Sequence, residues 1–132
     1  MNEQETFKSP EEWLKQAAYD FETAQILFET GKFIHAVFMC HLSLEKALKS
    51  LVAQRTKKDP PKTHDLNYLY EKSGLDVSES FTGFLDDLNT VAVLSRYPDI
   101  LETMLKQYSE DRVRAVMKDT EAMLEWLQKK LE

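Results

Sequence analysis

The chain has 132 residues, 42% of them hydrophobic and 30% charged, enough to bury the core of one domain without disulfides or a structural metal. Its single cysteine, Cys40, excludes an internal disulfide and fits a reducing cytoplasm, and no stretch approaches the roughly 18 uncharged apolar residues of a membrane span. A net charge of −6 repels a phosphate backbone at long range and so argues against strong non-specific nucleic-acid binding.

The opening MNEQETFKSPEEW has no apolar run flanked by positive charge, so no secretory leader is expected. A first helix is expected over Pro10–Thr30. Ser9 and Glu12 form an S-x-x-E capping box, Pro10 suits the first turn, and Gly31 provides the stop. Its apolar stripe is Trp13, Leu14, Ala17, Phe21, Ala24, Leu27 and Phe28. The second helix is expected over Lys32–Arg55. Its segment FIHAVFMCHLSL is apolar nearly all the way round, the mark of a central helix covered on several sides. Lys57–Lys62 should form a loop fixed by Pro60 and Pro61.

A short third helix is expected over Asp65–Ser73, with Thr63 or His64 at its cap and Gly74 at its end. The fourth should span Ser78–Leu94, burying Phe81, Phe84, Leu85, Leu88, Val91 and Ala92. Pro98 disfavours helix at Tyr97, so Ser95–Asp99 is expected as a break, followed by a helical turn over Leu101–Tyr108. The last helix should begin near Ser109 or Glu110 and reach Lys130, with Val113, Val116, Met117, Thr120, Met123, Leu124, Leu127 and Leu131 as its stripe. Glycine (3) and proline (4) are scarce, and no run shows sustained strand-like alternation. The fold class expected is all-α, an antiparallel bundle of four to five helices forming one domain over residues 1–132.

Polar residues stand out on the second helix. His41, Glu45 and Lys49 are spaced four apart on one face, among Leu42, Leu44 and Leu48. A carboxylate near a core is costly unless paired, so Glu45 needs a cation. Lys49 can serve, as can an arginine from elsewhere. The leading arginine is Arg96, in a loop stiffened by Pro98. It would either fix that loop through Glu45 or Asp99, or offer its planar donor fork to a ligand. His41 and Glu45 could be half of a metal site, but no Cys/His cluster supplies a third ligand and no metal is expected. His35 reads as a core or interface residue. His64 has a plain role at a helix cap, and would reach a ligand if its loop folded over the second helix. Lys49, Arg55, Lys57, Lys58 and Lys62 against Asp59 make a local balance of +4, which leaves −10 on the rest of the chain. That run is either a solvated helix end or a docking patch for a phosphate or an acidic partner. There is no glycine-rich phosphate loop, no C-x-x-C and no G-x-S-x-G, and Cys40 reads as a buried structural thiol. No cofactor is expected.

Four segments, taken in order, resemble one family. They are Trp13 with Ala18, Asp20, Phe21 and Ala24, then His41–Leu51 (H-L-S-L-E-K-A-L-K-S-L), then Thr63-His64-Asp65-Leu66, then Ser95-Arg96-Tyr97-Pro98-Asp99. Together they resemble the HEPN domains of small prokaryotic proteins. The resemblance implies a helical bundle, usually a homodimer, partnered with a small nucleotidyltransferase, often as a toxin–antitoxin pair. In many such proteins it implies metal-independent RNA cleavage by an arginine followed four to six residues later by histidine. Arg96 matches the arginine, but Leu101, Glu102 and Thr103 occupy the histidine positions, and no histidine follows His64.

RNA cleavage of this kind needs a proton carrier matched to neutral pH. The expectation is therefore a cytoplasmic HEPN-type protein that binds a nucleotide or partner rather than cutting RNA. Its candidate ligand-binding residues are Arg96, His41, Glu45, Lys49, His64 and Tyr97. The alternative is an RNA-cleaving enzyme using Arg96 with His64 or His41 as surrogate.

Overall fold

A computed structural model describes residues 8–76 and 79–131. They form six helices: α1 (Pro10–Glu29), α2 (Phe33–Thr56), α3 (Leu66–Lys72), α4 (Glu79–Leu94), α5 (Pro98–Gln107) and α6 (Glu110–Leu131). Among the described residues there is no strand. The opening residues and the expected α4 start at Ser78 lie outside them.

The start of α1 is the capping box read from the sequence. Ser9 Oγ accepts from the Glu12 backbone N–H at 3.2 Å, and Ser9 N–H donates to Glu12 Oε1 at 2.9 Å. Gly31, at φ 83°, supplies the left-handed step that turns the chain into α2.

Most of α2 between Ile34 and Ala53 is buried, and it packs against all five other helices. Small residues let α1 lie close to it: Ala17 and Ala24 on α1 and Ala47 on α2 are fully enclosed. Two serines fasten the pair, Ser43 Oγ donating to the Ala17 carbonyl and Ser50 Oγ to the Pro10 carbonyl, both at 2.7 Å. Leu85, Leu88 and Val91 of α4 and Val113, Met123 and Leu127 of α6 complete the core.

Two expectations need correction. The cap of α3 is Asp65, neither Thr63 nor His64. Asp65 Oδ1 accepts from the N–H groups of Asn67 (3.0 Å) and Tyr68 (3.3 Å), while Thr63 Oγ1 accepts from Asp65 N–H at 3.1 Å. Carboxylate is the better acceptor for the exposed donors of a helix start.

The break before α5 is also shorter than expected, and α5 is a ten-residue helix beginning at Pro98 itself. Tyr97 is extended (φ −104°, ψ 117°), as a residue before proline must be, and Pro98 occupies the first turn, where its missing N–H costs nothing. With α5 a full helix, the count is six. As expected, the loop begins at Lys57, which closes α2 in the left-handed conformation (φ 61°) without being glycine.

Candidate functional site around Arg96 and His64

Glu45, buried in the middle of α2, organises the polar interior. Its Oε2 accepts from Lys49 Nζ at 3.0 Å, and its Oε1 lies 3.0 Å from His64 Nδ1 and 3.9 Å from His41 Nδ1. The loop before α3 thus folds over α2 and delivers His64. Arg96 does not take part in this pairing. Neutralisation of Glu45 by Arg96 was one sequence reading, and the carboxylate is instead satisfied from its own helix and from the α3 loop. Arg96 makes no ion pair with Asp99 either, nor with any other described residue.

Arg96 instead lines a cleft of about 330 Å³ together with His41, His64, Asp65, Asn89 and Val93. Its fork of donors is exposed and uncommitted. Asn89 holds the cleft walls together. Its Oδ1 accepts from Leu66 N–H at 3.1 Å and from His41 Nε2–H at 3.2 Å, and its Nδ2 donates to Asp65 Oδ1 at 3.1 Å. One side chain therefore ties α2, α3 and α4 together. Asn89 was not singled out from the sequence. The available signal was an asparagine within α4, four residues after Leu85 and three before Ala92, at a helix-interior position asparagine disfavours.

His41 is buried, and burial pulls its imidazole below the ordinary value, against the opposing pull of Glu45 and the Asn89 hydrogen bond. Its Nε2 carries a proton, since it faces the acceptor Asn89 Oδ1. His64 is largely exposed, with its Nδ1 anchored on Glu45. In its neutral form, an imidazole whose Nδ1–H is held by a carboxylate presents Nε2 as an acceptor. Two of the candidate residues lie elsewhere. Lys49 opens on a different cleft beside Trp13, and Tyr97 is exposed at the cap of α5 and does not line the Arg96 cleft. Cys40 is enclosed, its thiol pushed up to about 11 by burial and donating to Met117 Sδ at 3.5 Å. Among the described residues no group of three or more His, Cys, Asp and Glu is disposed to hold a metal ion.

The sequence profile of the HEPN domain matches residues 10–131. The chain belongs to the HEPN domain family. TT1696 from Thermus thermophilus shares the fold of this HEPN chain with a TM-score of 0.78 at 22% identity, covering 92% of this chain and 97% of that one. ST0689, an archaeal HEPN homologue, does so with a TM-score of 0.75 at 23% identity, covering 96% and 100%. At these identities the likeness is one of fold. Comparison with curated proteins gives no match. No helix among the described residues is long and apolar enough to cross a membrane.

Proposed function

We propose that this HEPN chain is a cytoplasmic, homodimeric binding protein that works with a small nucleotidyltransferase in a toxin–antitoxin-like pair and takes a nucleotide phosphate at Arg96. The observation that supports this reading best is an arginine with no ion pair among the described residues, at the mouth of a cleft lined also by His41, His64, Asp65 and Asn89. A guanidinium in that situation receives two phosphate oxygens in parallel. Asn89 and Asp65 hold the cleft walls in place, so little ordering is needed on binding. The partner and the dimer come from the family resemblance. Val93 and Tyr97, exposed beside Arg96 at 57% and 54%, give a second copy an apolar surface to cover.

Calorimetry with nucleotides, on wild type and Arg96→Gln, tests the binding. Saturable binding abolished by the substitution, together with co-purification of a nucleotidyltransferase expressed beside it, is the expected result. Absence of both rejects the reading.

A second reading, metal-independent RNA cleavage, is favoured by one contact, the 3.0 Å anchoring of His64 Nδ1 on Glu45. His64 Nε2 would take the proton from a 2′-hydroxyl as its oxygen attacks the phosphorus, the P–O5′ bond breaks and the leaving 5′-oxygen takes a proton from water, while Arg96 holds the phosphate. His64 would then stand in for the histidine that Leu101, Glu102 and Thr103 replace. Purified protein incubated with RNA beside Arg96→Ala and His64→Gln decides between the readings. Cleavage that both substitutions abolish establishes the enzyme, and cleavage surviving either belongs to a contaminant.

A further inference from the structure

On the other side of Glu45 lies a second depression, of about 450 Å³, where the start of α1 meets the loop after α2. Its apolar walls are Trp13, Pro60 and Pro61, and its charged groups are Lys8, Lys49, Lys62 and Asp59. Three ammonium groups thus face one carboxylate. Lys49 is bound to Glu45 at 3.0 Å, but among the described residues Lys8 and Lys62 have no acidic partner. Asp59 fixes the entrance by accepting from the Lys8 backbone N–H at 3.3 Å.

The indole of Trp13 gathers the charge. Lys8 Nζ stands 5.2 Å and Lys49 Nζ 5.4 Å from its ring centroid. Lys49 is already neutralised by Glu45, so the positive charge open to an anion here is that of Lys8 and Lys62. The two prolines hold the opposite wall in a fixed conformation, which lowers the entropy lost on binding. The volume lies within the range of about 300–1,000 Å³ usual for small-molecule sites. The chain's net charge of −6 disfavours a long polyanion here more than a small anion.

We propose that this cleft, distinct from the one at Arg96, binds a phosphate-bearing small molecule, with its anionic oxygens on Lys8 and Lys62 and its remainder against Trp13 and the Pro60–Pro61 wall. Of the basic run noted in the sequence, Lys49 and Lys62 line this cleft, while Arg55, Lys57 and Lys58 stay outside it.

Inorganic pyrophosphate is the probe, titrated into the full chain carrying Trp126→Phe so that fluorescence reports Trp13 alone. The expected result is a saturable change in emission, weakened about tenfold or more by Lys8→Gln with Lys62→Gln, the size of a lost charge-assisted contact. Both lysines are solvent-accessible, so the variant retains the wild-type circular dichroism. Arg96→Gln leaves the Trp13 response unchanged, which separates this site from the nucleotide reading above. Competition identifies the source of the phosphate. Displacement by ADP more tightly than by pyrophosphate means a nucleotide, and equal displacement means the phosphate group alone. The proposal is overturned by no response to pyrophosphate, by a response insensitive to the lysine substitutions, by loss in Arg96→Gln, or by adenosine competing as well as ADP.

Discussion

Glu45 shows why a charge can sit in the middle of a helical core. It is 4% exposed, yet each of its oxygens has a donor 3.0 Å away, one from its own helix and one from the loop before α3. Removing one partner of such a pair leaves the other charge buried and alone, so Glu45→Ala should lower stability by about 3–5 kcal/mol in urea unfolding. Replacing the pair together, Glu45→Met with Lys49→Met, removes both charges and should cost far less than the single substitution. A double variant as unstable as the single one would mean that His64, not Lys49, is the partner that matters.

His41 makes the second residue-level prediction. Its burial lowers the proton affinity of the folded state, so the unfolded chain binds more protons in the region below the ordinary value of 6.5. Its contribution to stability is therefore complete above pH 6.5 and is lost as pH falls through the lower folded value. Unfolding measured from pH 7.5 down to 5 should show this decline, and His41→Gln should flatten it. Cys40, with its thiol raised to about 11 and enclosed, should resist a thiol reagent in the native protein and react at once in denaturant.

The elements differ in how openly the sequence declares them. In α1 the cap, the proline at the first turn, the stripe and the terminating glycine are local signals that agree, and the helix lies where they place it. The end of α2 is different, because Lys57 takes a left-handed conformation that no local rule assigns to lysine. Lys57→Gly should therefore raise stability by about 0.5–1 kcal/mol, since the strain of a side chain at φ 61° is removed.

Pro98 carried an ambiguous signal. It forces Tyr97 out of helix and equally favours being the first residue of the next, and only tertiary packing of Met104 and its neighbours extends α5 to ten residues. Asp65 is placed by the sequence reading inside α3 and not at its cap, and its second role, holding Asn89 Nδ2, depends on α4 arriving beside α3. Asp65→Ala should accordingly cost about 1–2 kcal/mol, more than an isolated cap.

At the scale of the whole molecule, α2 carries two clefts, one on each side of a single carboxylate. His64 and His41 face the Arg96 cleft, and Lys49 faces the Trp13 cleft. The spacing of His41, Glu45 and Lys49 told from sequence that these groups share a helix face. It could not tell that the face is divided, because the division is made by α1 and the Pro60–Pro61 loop on one side and by α3 and α4 on the other. Nor could spacing reveal that Arg96 stands apart from Glu45, since any acid–base pair is compatible with sequence until the donors are located. The fold was readable because it rests on periodic burial. The site was readable only in part because it rests on contacts between residues far apart in the chain.

The central claim is that Arg96 is a free guanidinium poised for a phosphate. It is tested most directly by the Arg96 Nε–H resonance in a nitrogen–proton spectrum during titration with a nucleotide. A saturable shift of that signal, with those of Arg112 and Arg114 unmoved, is the predicted result. An Arg96 signal that stays in place while nucleotide binds, or a titration that moves no arginine at all, would contradict it.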